Sequence, residues 1–166
     1  MIETIRLLYD YTRWADGRMF EAVGKLSPEA WTKDLGSSLK SVRDTVVHIV
    51  SAQWIWISRW KGQTPSGMWA AAEFPTPASV REKWEPLAAE QAAFVAAQTE
   101  ESVAKPLTYK NLKGESFTYP LGQLMLHTTN HSTYHRGQVT TMIRQLGGQP
   151  LSSDLVVYYG ELAKKK

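Results

Sequence analysis

Three of the four histidines in this 166-residue sequence, His127, His131 and His135, lie four residues apart in the segment HTTNHSTYHRGQ. The fourth is His48. Imidazole nitrogens are common ligands of divalent transition metals, and side chains four residues apart on a helix are neighbours. The spacing therefore indicates a metal site to which one helix contributes two ligands.

The geometry of a regular helix distinguishes the three histidines of this segment. His127 and His135 would lie about 12 Å apart along the axis, whereas nitrogen ligands lie only about 2.1 Å from a shared ion. The apolar residues of this segment, from Leu121 onward, share one face of the helix. His135 lies closest to the direction of that face, His131 lies farther from it and His127 lies farthest. We therefore predict that His131 and His135 are ligands and that His127 lies beside the site.

His48 lies in the middle of an apolar segment, where a neutral imidazole must satisfy two ring nitrogens. Metal coordination by one nitrogen and a hydrogen bond from the other would do so. The resulting site, His48 with His131 and His135, leaves a position for water or substrate, as catalytic zinc sites do. Two alternatives stay open: His48 as a hydrogen-bonded core histidine, and the spaced pair as ordinary residues, because the segment lacks the glutamate of His-Glu-x-x-His.

Hydrophobic periodicity and capping signals predict four long helices to position these side chains. The predicted long helices cover residues 3–24, 41–60, 78–99 and 120–146. Pro86 is expected to kink the third or to delay its start. Short helices are predicted at 28–31 and 153–161, a β-hairpin at 107–120, and a long connection at 62–77. We predict an all-α fold in one domain over residues 1–166: a four-helix bundle with a long crossover between helices two and three, a small hairpin before helix four and a short C-terminal helix.

The composition excludes several classes of function. The formal charge is +3, but no basic stripe is present, and Lys164–Lys166 is expected to be a solvated tail, so nucleic-acid binding is not indicated. The absence of cysteine removes disulfides, thiolate ligands and cysteine nucleophiles. Neither a signal peptide nor a membrane-spanning segment is recognisable. We expect a cytoplasmic protein without a membrane or nucleic-acid partner.

The segment Asn130–Gln138 resembles the NHxxYHRGQ motif of the DinB family (the DinB/YfiT-like metalloprotein superfamily). Tyr11–Asp16 is similar to the opening of that family's first helix, and Ser41–Ile49 to the segment that carries its first histidine. The resemblance covers most of the chain. It implies a four-helix bundle, often dimeric, with a divalent metal, commonly nickel or zinc, at His48, His131 and His135. Related branches include thiol S-transferases and a maleylpyruvate isomerase, and the family name implies no DNA chemistry.

Two functions follow as hypotheses. The first is a metal-dependent enzyme of the thiol S-transferase or hydrolase type, acting on a small molecule, in which the metal lowers the pKa of a bound water or thiol. The thiol would come from a low-molecular-weight cofactor, since the protein has no cysteine. The second is a non-catalytic, stress-associated homodimer in which the bound metal stabilises the protein or serves in sensing. An open coordination position would favour the first, and a closed site the second.

Residues near the predicted ligands have less specific signals. Asp44 is predicted to favour the start of its helix rather than to orient His48. Gln138 is expected to bond either to a bound water or to a loop. Tyr134 and Arg136 are predicted to be packing and salt-bridge groups. Core packing is the expectation for the three tryptophans of the second long helix, Trp54, Trp56 and Trp60.

Overall fold

The computed structural model describes residues 1–164 and is mostly helical, with one small antiparallel hairpin. The elements of this part of the chain are α1 (Ile2–Val23), α2 (Pro28–Thr32), α3 (Val42–Trp60), a 3₁₀ turn (Ala71–Glu73), α4 (Pro77–Ala96), α5 (Glu100–Ala104), β1 (Pro106–Lys110), β2 (Ser116–Pro120), α6 (Leu121–Gln145) and α7 (Leu155–Ala163). The predicted helices and hairpin occur in the predicted order, and the 3₁₀ turn and α5 are additional elements that were not predicted. Lys165 and Lys166, part of the predicted solvated tail, lie outside the described residues.

The start of α3 is fixed by a capping box. The Ser41 hydroxyl accepts a hydrogen bond from the Asp44 backbone N–H at 3.1 Å, and the Asp44 carboxylate accepts one from the Ser41 N–H at 3.1 Å. These two bonds satisfy backbone donors that a helix start otherwise leaves free. Asp44 therefore serves the helix start, as predicted, and His48 follows one turn later in a fixed register.

The four long helices pack so that each contacts two others: α1 and α3 both contact α4 and α6. α3 also contacts α2 and the 3₁₀ turn, so 15 of its 19 residues are buried. This burial accounts for a helix that is apolar on most sides, because neighbours within the same chain cover it. The contact between α3 and α6 is the one that places the histidines.

α4 departs from its predicted bounds. It begins at Pro77, capped by the Thr76 hydroxyl, so the delayed start suggested by Pro86 is wrong. Proline at the first helical position costs no hydrogen bond, and the helix continues through Pro86. The predicted end at Thr99 is also wrong, because α4 stops at Ala96 and Thr99 caps the separate helix α5.

The hairpin leads directly into α6. Pro120 was expected in the first helical turn, but it is the last residue of β2 and the N-cap position of α6. The Leu121 N–H donates to the Lys105 carbonyl at 2.9 Å, which ties the start of the helix to the residue before β1.

After α6, Gly147 adopts φ 76°, a left-handed conformation that glycine accommodates without strain. Within residues 1–164, no helix combines the length and apolar character needed to cross a bilayer.

Removal of the Ser41 side chain tests the capping box. We expect Ser41→Ala to lower the free energy of unfolding by about 1 kcal/mol, because the backbone N–H of Asp44 loses its acceptor. Urea denaturation followed by circular dichroism measures this change. The control is Ser38→Ala, at an exposed position in the same loop, which should leave stability unchanged. Equal effects from both variants would contradict the assignment.

Candidate metal centre

The packing of α3 on α6 brings together the three histidines that the sequence singles out. His48 lies on α3, and His131 and His135 lie on successive turns of α6. One ring nitrogen from each lies within 4.8 Å of the other two, and all three side chains are half-buried. This is the one group of three or more potential metal-binding side chains among residues 1–164, and it contains no carboxylate.

The shortest contact in the cluster matches the spacing of two nitrogens on one ion. His48 Nε2 and His131 Nε2 are 3.2 Å apart. Two nitrogens about 2.1 Å from a shared ion reach that separation at an angle of about 100°, between octahedral and tetrahedral values. Two unprotonated nitrogens that face each other repel, so either a proton or a cation must lie between them. The residues present therefore fit a divalent metal.

Gln138 orients the third histidine. His135 Nδ1 is 2.7 Å from Gln138 Oε1, a hydrogen bond across one helical turn. An amide oxygen only accepts, so Nδ1 carries the proton and Nε2 keeps a free lone pair. Gln138 was expected to bond to water or to a loop, and its contact with His135 differs from both. Its position three residues after His135 is the signal that could have identified this contact.

Two imidazoles of the cluster, those of His48 and His131, are held neutral. Burial lowers the pKa of His48 to about 4, with a further contribution from the nearby His135. Burial also lowers the pKa of His131 to about 3, assisted by repulsion from His135, His48 and His127. Both side chains are therefore unprotonated at neutral pH, which is the form that binds metal.

Behind the cluster, a buried polar network joins α1, α3 and α6. Arg136 donates from Nη1 to Asp16 Oδ1 at 2.8 Å, with exposed side-chain fractions of only 3% and 1%. Gln53 Nε2 donates to Asp16 Oδ2 at 2.7 Å and lies 3.1 Å from the Ser132 hydroxyl. Ser132 and Arg136 each follow a clustered histidine in sequence, so the network holds the backbone of α6 against its two neighbours.

This network was only partly anticipated. Arg136 is a salt-bridge group, as predicted, but its partner Asp16 and the bridging Gln53 were not identified. The available signals were two polar residues at apolar positions. Asp16 lies on the apolar face of α1, and Gln53 lies in the mostly apolar α3. Neither signal indicates which buried partner it meets.

Aromatic side chains flank the cluster on both sides. His127 is exposed, and its ring lies 5.1 Å from Trp56 and 5.8 Å from His131, so it lies beside the site as predicted. Tyr134 was expected to pack, but it is 65% exposed, with its ring 5.0 Å from that of His135. Of the α3 tryptophans, Trp56 and Trp60 are buried and Trp54 is half-buried against Trp69.

Comparisons with known proteins agree with the motif. The model of the DinB family matches residues 1–163. The chain is 30% identical over 156 residues to Protein DinB of Bacillus subtilis (strain 168), covering 91% of each chain. A crystal structure of a DinB-like protein from Bacillus cereus ATCC 10987 superposes with a TM-score of 0.63, over 84% of this chain and 91% of that one. At 16% identity, this last similarity shows the fold alone.

The buried ion pair between Asp16 and Arg136 leads to a prediction for the stability of the fold. We expect Asp16→Asn to lower the free energy of unfolding by about 3–5 kcal/mol, because it leaves the Arg136 guanidinium buried without a counter-charge. Asp10→Asn is the matched control on the same helix, where a 58% exposed carboxylate lies 3.6 Å from Arg13. The control should cost no more than about 1 kcal/mol. Urea denaturation of both variants checks the difference, and similar costs would contradict it.

The lowered imidazole pKa values predict how stability depends on pH in the metal-free protein. The unfolded chain takes up protons at His48 and His131 as pH falls below 6.5, whereas the folded chain stays neutral there until about 4 and about 3. The free energy of unfolding should therefore be level above neutrality and fall as pH drops from about 6.5. Denaturation at a series of pH values measures the slope, and His131→Gln should flatten it. An unchanged slope in this variant would contradict the assignment.

Proposed function

Because the chain belongs to the DinB family and brings three imidazoles together, we propose that it binds one divalent metal ion through His48, His131 and His135 and uses it as an enzyme. The observation that carries the proposal is the convergence of three ring nitrogens from two helices. Nitrogen donors of this kind suit nickel and zinc, which are the metals we propose. Among residues 1–164, no fourth histidine, aspartate or glutamate completes the cluster, so a coordination position stays open to water or substrate.

The proposed reaction is transfer of a thiol sulfur to an electrophile, or hydrolysis. A divalent ion held there lowers the pKa of a water or thiol that binds to it, so that a nucleophile exists near neutral pH. The chain has no cysteine, so the thiol must be a small molecule. The absence of a carboxylate from the cluster leaves no evident general base for water, which favours the thiol route.

The chain's own residues prepare the site for either reaction. Gln138 fixes the His135 tautomer, and the network around Asp16 holds the backbone that carries both α6 ligands. The exposed ring of Tyr134 stands beside His135 and offers an apolar surface to an incoming substrate. Each of these groups positions the cluster or the substrate, and none of them transfers a proton in this proposal.

The alternative is a non-catalytic, stress-associated metal-binding homodimer, in which the ion stabilises or senses. It is supported by the same three histidines and by the dimers common in the family. A homodimer and the complete four-helix bundle are parts of the proposal that follow from the family resemblance. A single domain over residues 1–166 and a cytoplasmic location are parts of it that follow from the sequence pattern and composition. Activity of the metal-loaded protein separates the two functions.

Metal content tests the ligand assignment. We expect His135→Ala to lose the metal while keeping the helical circular dichroism spectrum, because the apolar core forms without it. The matched control is His127→Ala, eight residues earlier on the same helix and outside the cluster, which should keep it. Elemental analysis after loading with nickel or zinc measures the stoichiometry. Equal metal content in the two variants would contradict the assignment.

A paired assay tests the reaction. The metal-loaded protein is given 1-chloro-2,4-dinitrobenzene with 2-mercaptoethanol or glutathione, and separately p-nitrophenyl acetate without thiol. In the first reaction the sulfur–carbon bond forms, chloride leaves and the thiol proton goes to solvent. We expect metal-dependent turnover with thiol that is absent in His135→Ala and retained in His127→Ala. Turnover of the ester alone would indicate the hydrolase, and no turnover in either assay would favour the non-catalytic alternative.

A further inference from the structure

The two buried arginines of the described residues have very different surroundings. Arg136 is paired with the Asp16 carboxylate at 2.8 Å. Arg59, on α3, is only 8% exposed, yet within residues 1–164 no carboxylate lies within ion-pair distance of it. Its Nε is buried and has no hydrogen-bond acceptor among the same residues. A buried cation without a counter-ion is costly, so this arrangement calls for an explanation.

Two aromatic rings hold the Arg59 guanidinium in place. Its central carbon lies 4.8 Å from the centre of the Trp56 ring and 4.9 Å from that of Tyr109. The rings attract the planar faces of the guanidinium, but they do not accept hydrogen bonds from its N–H groups, which point outward in its plane. The side chain is therefore fixed in position with its hydrogen-bonding capacity unused. That combination is typical of an arginine that recognises a bound oxyanion.

Arg59 lines a cavity of about 390 Å³ between the end of α3 and the hairpin. The residues around it include a second cation and several neutral polar side chains: Lys110, Gln63, Thr64, Thr108 and Ser116. None of the described residues that line this cavity is a carboxylate. Two positive charges with hydroxyl groups and no negative charge attract an anion and repel a cation.

We propose that this cavity binds a small oxyanion group, a carboxylate or a phosphoryl group, through Arg59 and Lys110. The guanidinium offers a fork of N–H donors to two oxygens of such a group, and the lysine adds a point charge at the hairpin. Burial lowers the pKa of Arg59, and an anion beside it would oppose that effect. This site is separate from the histidine cluster and does not depend on the metal.

The position of the cavity relates it to the histidines. Arg59 follows His48 by eleven residues on α3, which places it about 16 Å along the axis and within about 20° of the same face. Trp56, which contacts Arg59, also contacts His127, and His127 lies 5.8 Å from His131. If the proposed function holds, the oxyanion belongs to an elongated thiol or electrophile whose reactive end reaches the histidine cluster.

An anion titration tests the site without using the proposed function. Metal-free, ¹⁵N-labelled protein is titrated with inorganic phosphate and, separately, with acetate, at constant ionic strength. We expect saturable shifts of the Arg59 Nε–H resonance and the Thr64 amide resonance. The anion that saturates at the lower concentration identifies the group as phosphoryl or carboxylate. Shifts that grow linearly with both anions, as for a general salt effect, would overturn the proposal.

Three substitutions assign the binding to these side chains. Arg59→Gln should weaken the binding at least tenfold and Lys110→Gln about threefold, since both remove a charged donor. Lys113→Gln, at the exposed hairpin turn outside the cavity, removes the same charge and should leave the affinity unchanged. Lys110 is itself exposed, so its variant keeps the test valid if Arg59→Gln does not fold. Equal weakening by the two lysine variants would overturn the proposal.

Kinetics tests the connection to the histidine cluster. In the thiol assay, Arg59→Gln should raise KM for glutathione, which carries carboxylates, and leave KM for the uncharged 2-mercaptoethanol unchanged. If the anion site is saturable but Arg59→Gln leaves KM unchanged for both thiols, the cavity is separate from the reaction. If the wild-type protein shows no activity but still binds the anion, the proposed enzyme is refuted and the anion site is retained.

Discussion

The packing of α3 against α6 is the constraint on which the candidate centre depends. His48 reaches to within 3.2 Å of His131 only because these helices are adjacent in a defined register. A slip of one residue along either helix would rotate a ligand by about 100° and remove it from the cluster. The capping box at Ser41 and the apolar residues that surround α3 keep the register fixed.

The polar network inside the protein supports the same register by a different means. Apolar packing resists separation of two helices, but it tolerates small rotations and shifts better than directional bonds do. Asp16 accepts from Arg136 and Gln53, so it bonds simultaneously to α6 and α3. Burying these groups is costly, and such an arrangement is most useful where a specific geometry must be kept. The cluster of histidines, on a neighbouring face of α6, is where this chain needs a fixed geometry.

Much of this molecule could be predicted from the sequence because its signals are local. The helix caps at Ser27 and Ser41, the glycines after α6, and the four-residue histidine spacing depend on neighbours in the chain. Pro86 misled the prediction of α4, since packing against α1 and α3 stabilises a helix despite the lost hydrogen bond. The partners of buried polar groups could not be predicted, because they depend on the rotation of whole helices. The pairing of Asp16 with Gln53, and the lack of a carboxylate partner for Arg59 within residues 1–164, both depend on such rotations.

The proposed ligands of the centre are widely separated in the sequence, since His48 and His131 are 83 residues apart. The unfolded chain retains only the local pair on the segment that becomes α6, so it would hold an ion more weakly than the folded chain. By mass action, an ion that prefers the folded state stabilises it by about 2.7 kcal/mol when its free concentration is 100 times the dissociation constant. The thermal midpoint of this protein would then vary with the free metal concentration, and a chelator would lower it without altering a single covalent bond.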